Sequence, residues 1–69
     1  MLWLVKGNSS HQIVACNLHE EKGRHQLWVE RPSGKTIKII ESKDAREVLE
    51  VKDAIDFAIA NGHPSLELH

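Results

Sequence analysis

Three side chains in the first part of the sequence are of types that bind zinc. Two residues separate Cys16 from His19 in a Cys-x-x-His pattern, and His25 follows; this is a spacing that zinc sites use. A closed structural site needs four ligands, however, and on an extended strand Cys16 and His19 point to opposite faces because their separation is odd. Zinc binding would need the chain to turn before His19 and to recruit His11 or Glu20. We favour a buried, apolar cysteine beside solvated loop histidines, and expect no metal and no cofactor.

Cys16 is also the candidate for a thiol nucleophile. Nucleophilic catalysis would require a neighbouring histidine that a third group orients, in a cleft that excludes water. The segment Val14-Ala15-Cys16 is instead typical of a core strand, and a chain of 69 residues forms few clefts. We therefore expect no enzymatic activity.

Gly34-Lys35-Thr36 matches the end of a phosphate-binding P-loop. The full motif needs a second glycine five residues earlier and a helix directly afterwards, so that helix-terminal N–H groups meet the phosphates. Val29 occupies the earlier position, and the residues after Thr36 favour a strand. The pattern indicates a hairpin turn.

The elements that position these residues follow from the spacing of apolar side chains. Residues 2–6 favour a strand, and residues 12–18 form a second apolar run. Residues 25–31 alternate between apolar and polar, and residues 36–41 return after a Pro-Ser-Gly turn. These runs predict four antiparallel strands joined in sequence order, a β-meander.

From residue 43 onward the apolar period becomes helical. Ser42 is the expected N-cap and Gly62 the expected stop. Phe57 lies nearly opposite the apolar stripe, and residues 46–51 also alternate like a strand, so one helix or two pieces, the second starting at Asp53, are both open. Residues 66–68 favour a short last strand. The apolar stripe consists of Ala45, Val48, Val51, Ile55, Ala58 and Ile59.

Length and composition set the limits of this α+β fold, a four-stranded antiparallel β-meander followed by one amphipathic helix. Residues 1–69 suffice for one small domain, and a single cysteine excludes an internal disulfide, so a partner chain is one expected source of extra stability. The N-terminal apolar run meets Lys6 too early for a signal peptide or a membrane span, which predicts a cytoplasmic protein without a membrane partner.

Charge is unevenly divided along the chain. Residues 1–40 hold six Lys or Arg against three Glu, a formal charge of +3, whereas residues 41–69 hold three Lys or Arg against seven Asp or Glu, a charge of −4. The division indicates either a charged partner or a basic sheet that attracts an acidic helix.

Trp28 is the most informative residue for function. Leu27 and Val29 share one face of their strand, and Trp28 lies on the other. If the helix covers the Leu27 face, Trp28 and Ile40 remain on the open side, where apolar groups framed by polar ones favour binding. The alternative is a half-covered tryptophan packed on the aliphatic stems of Lys38 or Arg31. The orientation of Trp3 is left open.

Two functions are compatible with this open face. The first is a non-catalytic protein–protein interaction module or accessory subunit that forms a homodimer through the face or through a free sheet edge. The second is single-stranded nucleic-acid binding, with Trp28 stacked on a base and basic side chains on phosphates. The candidate binding residues are Gln26, Trp28, Arg31, Lys38 and Ile40, with Lys35 as a further phosphate contact.

Overall fold

The computed structural model describes residues 1–68 and confirms an α+β fold. The chain forms five strands, then one helix, then a sixth strand. Their bounds are β1 (Leu2–Lys6), β2 (Ser9–Ile13), β3 (Ala15–Glu21), β4 (Arg24–Glu30), β5 (Thr36–Ser42), α1 (Ala45–Ala60) and β6 (Ser65–Leu68).

The strands form two three-stranded sheets. In the first sheet β1 lies in the centre, antiparallel to β2 and parallel to β6. The second sheet is an antiparallel meander in the order β3-β4-β5. The β3–β4 turn places Lys22 at φ 52° and Gly23 at φ 75°, and two positive φ angles are what a two-residue type I′ hairpin requires.

The apolar run that predicts one strand over residues 12–18 is divided between the two sheets. Ile13 pairs with Leu2 in the first sheet, and Cys16 pairs with Val29 in the second. Ile13 and Cys16 are both buried, although an odd separation would put them on opposite faces of one continuous strand. A break at Val14 resolves this conflict, and it converts the four predicted meander strands into two sheets.

A bulge in β5 places Ile40 on the opposite side of the sheet from the one that the sequence predicts. Lys38 pairs with Trp28, but the next pair along the ladder is Ile40 with Leu27, which leaves Ile39 as the extra residue. Ile40 therefore lies on the helix-covered side and packs partly buried against the core, not beside Trp28. The backbone oxygen of Ile39 accepts a hydrogen bond of 2.6 Å from Lys6 Nζ in the first sheet.

The helix is continuous, so the two-piece alternative is wrong, and its N-cap is Asp44 rather than Ser42. The Asp44 carboxylate accepts the Arg46 N–H at 3.0 Å. Ser42 supports the cap from outside: its hydroxyl accepts the Asp44 N–H and donates to Glu47. Serine and aspartate are both favourable N-cap residues, so residue type alone does not decide between Ser42 and Asp44. The choice depends on where the backbone enters the helix.

The helix ends at Ala60, and Gly62 is the stop signal, as predicted. Gly62 has φ 67°, its N–H donates to the Ile59 oxygen, and the His63 N–H donates to the Ala58 oxygen at 2.9 Å. This is the Schellman arrangement, in which a left-handed residue satisfies the last helix carbonyls. Phe57 lies on the exposed side of the helix and meets the His63 ring edge-on, at 5.9 Å between ring centres.

The core lies between the two sheets and α1. Leu2 and Leu4 point inward, which places Trp3 on the exposed face of the first sheet and answers the question of its orientation. No side-chain nitrogen or oxygen buried within residues 1–68 lacks a hydrogen-bond partner. The buried apolar set is Leu2, Leu4, Ile13, Cys16, Leu27, Val29, Ile39, Val48, Ile55 and Ala58.

Cys16 joins the core to a charged pair on the helix. Its Sγ donates to Asp56 Oδ1 at 3.1 Å, and the other carboxylate oxygen of Asp56 accepts from Lys52 Nζ. Burial, and then the hydrogen bond to Asp56, raise the pKa of the Cys16 thiol to about 12. Hydrogen bonds from Lys52 and Cys16 lower the pKa of the Asp56 carboxyl. Burial and this hydrogen bond thus favour the protonated thiol form of Cys16.

Among residues 1–68, no helix combines the length and the apolar character that a membrane crossing demands.

The protonated state of Cys16 can be measured by alkylation. At pH 8 we expect iodoacetamide to modify native Cys16 at least about 100-fold more slowly than the urea-unfolded chain, because the thiolate is the reactive form. Asp56→Asn removes a nearby negative charge and should accelerate the reaction. Asp53→Asn, the matched change on an exposed carboxylate of the same helix, should leave the rate unchanged. Equal rates in the native and unfolded chains would contradict a buried, hydrogen-bonded thiol.

Candidate interaction surface

The free edge of β3 is the longest sheet edge that nothing in the described chain protects. In the sheet order β3-β4-β5, β3 pairs on one side only. The pair that flanks the β3–β4 turn, Glu21 and Arg24, is hydrogen-bonded as a two-residue hairpin requires, and bonded pairs then alternate along the ladder. The residues whose backbone N–H and C=O groups point to the free side are therefore Cys16, Leu18 and Glu20.

The opposite edge of the same sheet, β5, is built differently. Its bulge interrupts the regular row of backbone groups, and the Ile39 oxygen accepts a hydrogen bond from Lys6 Nζ. Bulges and lysines are devices that keep a sheet edge from pairing with another chain. The β3 range carries Glu20 and Glu21 but contains no proline, no lysine and no bulge within its pairing with β4, so its backbone groups form a regular row.

An apolar groove of about 380 Å³ lies beside this edge, between the end of the β3–β4 hairpin and the first half of α1. Leu18, His19, Glu20 and His25 line it from the hairpin, and Ala45, Val48 and Leu49 line it from the helix. Leu18 is 46% exposed and Leu49 44% exposed, although both face a groove next to the core. Two half-covered leucines beside unpaired backbone groups are a site at which further burial is favourable.

The two ends of the β3 edge differ in their charged neighbours. At one end Glu20 lies 3.4 Å from His25, measured from Oε2 to Nδ1. At the other end α1 places Lys52 and Asp56 beside Cys16. The edge thus has an acidic residue near its C-terminal end, an apolar centre and the Lys52–Asp56 ion pair near its N-terminal end.

The face of the sheet away from the helix holds a closed polar network. Trp28 Nε1 donates to Gln26 Oε1 at 2.9 Å, and Gln26 Nε2 donates to Glu41 Oε2 at 2.6 Å. The second Glu41 oxygen lies 3.6 Å from Lys38 Nζ. The hydrogen bond from Gln26, and to a lesser extent the charge of Lys38, lower the pKa of the Glu41 carboxyl. Gln26 is only 7% exposed, and both ends of its amide have partners within the chain.

The structure brings together three of the five predicted binding residues. Gln26, Trp28 and Lys38 share the network, in which Trp28 is half-buried. Ile40 lies on the other side of the sheet because of the bulge, and Arg31 lies in the exposed loop that follows β4. Whether any of them binds a partner stays a prediction.

Sequence reasoning missed the leucines of the groove. Leu49 falls outside the apolar stripe of α1, and a large apolar residue off the stripe was the signal that could have drawn attention to it. Leu18 ends the apolar run of residues 12–18, and that run predicts a strand without indicating a groove. No pattern in the sequence places the two side by side.

Within residues 1–68, His, Cys, Asp and Glu side chains do not come together in any group of three that could hold a metal ion. Cys16 is engaged with Asp56, while His19 and His25 each lie near a glutamate of their own hairpin.

Comparisons with known proteins identify no relative of this chain. No protein family model, no curated protein and no solved structure matches the chain.

Proposed function

We propose that this chain is a non-catalytic protein–protein interaction module that self-associates through the free β3 edge and the adjacent leucine groove. The observation that carries the proposal is the position of Leu18 and Leu49, each almost half exposed, beside backbone groups that have no strand partner. Addition of a strand to an open edge is a common mode of protein recognition, in which main-chain hydrogen bonds supply affinity and side-chain pockets supply selectivity.

The small core supports the same proposal. A chain of 69 residues buries a limited fraction of its surface, and the single cysteine cannot form a disulfide within the chain. Burial of Leu18 and Leu49 in an interface would add apolar contacts at the edge of the core, next to the buried residues Leu27 and Val48. Self-association is therefore a physically reasonable source of extra stability.

The edge is a better interface than the Trp28 face. The indole N–H and both ends of the Gln26 amide are satisfied within the chain, so a partner on that face would gain few new hydrogen bonds. The backbone groups of Leu18 on the free side have no such partner in the sheet.

Nucleic-acid binding on the Trp28 face remains the alternative hypothesis. The cross-strand pairs place Arg24 and Lys38 on this face, but also Glu21, Glu30 and Glu41. Three carboxylates would repel phosphates, and nothing in the geometry favours this function over the first. Its binding would weaken steeply with salt, whereas apolar association changes little.

Solution mass tests the proposal directly. Light scattering over a wide range of protein concentration should show a dimer that forms with increasing concentration and persists in high salt. Leu49→Lys should weaken the dimer at least about tenfold, because a charge then enters an apolar interface. Ala54→Lys adds the same charge to an exposed position of the same helix and should leave the dimer intact. A monomer at every concentration would contradict the proposal.

Trp28→Ser separates the two surfaces. We expect the free energy of unfolding to fall by about 1–3 kcal/mol, because the buried Gln26 amide oxygen loses its donor and a half-buried ring is removed. The dimer dissociation constant, measured at a temperature where both proteins are folded, should change less than about threefold. Loss of association with unchanged stability would instead assign the interface to the Trp28 face.

A further inference from the structure

We propose that the partner on β3 is a second copy of this chain, paired antiparallel about a two-fold axis through Leu18, so that the two β3-β4-β5 sheets form one six-stranded sheet. This inference rests on the proposed function and adds the register and the contacts of the interface.

The length of β3 selects the register. The strand Ala15–Glu21 has seven residues, and Leu18 is its midpoint. Antiparallel pairing of two copies about Leu18 therefore aligns the whole strand with its mate, and any other symmetric register leaves part of each strand unpaired. A dimer with a two-fold axis needs this kind of self-complementary patch.

The backbone groups on the free side fit the same axis. Leu18 points its N–H and C=O to the free side, so the two copies of Leu18 can exchange both hydrogen bonds as a bonded antiparallel pair. Cys16 and Glu20 are the other two residues with backbone groups on that side. In this register Cys16 of each copy lies opposite Glu20 of the other. The backbone N–H and C=O groups of these two residues can then form hydrogen bonds at both ends of the strand pair.

The side chains on the helix side complement one another in this register. The two copies of Leu18 meet at the axis, each beside a groove wall formed by Leu49. Glu20 of one copy arrives opposite Cys16 of the other, next to Lys52, whose side chain is 26% exposed and already contacts Asp56. The interface thus has an apolar centre at Leu18, with Glu20 of one copy beside the Lys52–Asp56 ion pair of the other at each end.

Competing registers are less favourable. A two-fold axis at Glu20 would place the two copies of that carboxylate directly opposite each other, which is destabilising in a strand pair. An axis at His19 would set Leu18 against Glu20 and leave the apolar groove facing a charge. With the axis at Leu18, no two like charges within β3 lie directly opposite each other.

The outer face supplies a test of this register. Asn17 of one copy lies opposite His19 of the other as a non-bonded pair, with about 4.5 Å between their Cα atoms, and a disulfide accepts that separation. The two copies of Asn17 do not lie opposite each other, because each is displaced from the other by two residues along the strand pair. The same holds for the two copies of His19. Both side chains are exposed, so their replacement should leave the core unchanged.

The experiment mixes two single-cysteine proteins made in a Cys16→Ala background, one with Asn17→Cys and one with His19→Cys. After mild oxidation, the mixture should give a disulfide-linked dimer of one copy of each, identified by its mass. Each protein oxidised alone should form at least about tenfold less linked dimer. Light scattering on the same samples, together with circular dichroism, reports whether the background chain folds and dimerises.

The outcomes distinguish the register from the function. A dimer in light scattering that links 17 to 17 or 19 to 19, or that does not link in the mixture, would overturn the Leu18 register while the interaction module stands. A folded chain that stays monomeric at every concentration would overturn both.

Discussion

The burial of both Ile13 and Cys16 is the constraint on which the rest of the fold depends. Their odd separation is incompatible with one straight strand that has a single buried face, and the chain resolves the conflict by breaking at Val14. The break creates two small sheets instead of one larger one. It also leaves β3 with a partner on one side only, because the strand that precedes it in sequence belongs to the other sheet.

The second irregularity, the β5 bulge, determines which edge stays open. It places Ile39 and Ile40 toward the core and presents the Ile39 oxygen to Lys6 of the first sheet. One hydrogen bond therefore links the two sheets and protects one edge of the second sheet at the same time. The asymmetry between a protected β5 edge and an open β3 edge is the physical basis of the proposed interaction surface.

Much of the fold follows from local rules. The alternation in β4 and the helix stop at Gly62 predict their elements because each depends on residues close in sequence. The break at Val14, the β5 bulge and the choice of Asp44 over Ser42 as N-cap depend on packing between distant segments, and apolar periodicity contains no signal for them. The same limit applies to the site: the face of Trp28 follows from alternation, but the burial of Gln26 depends on Glu41, fifteen residues away.

The parallel pairing of β1 with β6 has a consequence for the order in which the chain folds. The β3–β4–β5 meander consists of neighbouring hairpins, so its contacts are local and can form early. The first sheet is complete only when residues 65–68 reach a strand that begins at residue 2, and closing so long a loop is entropically costly. During synthesis, the inner face of β1 must wait for almost the whole described chain to emerge, while the hairpin that carries the open edge is already able to fold.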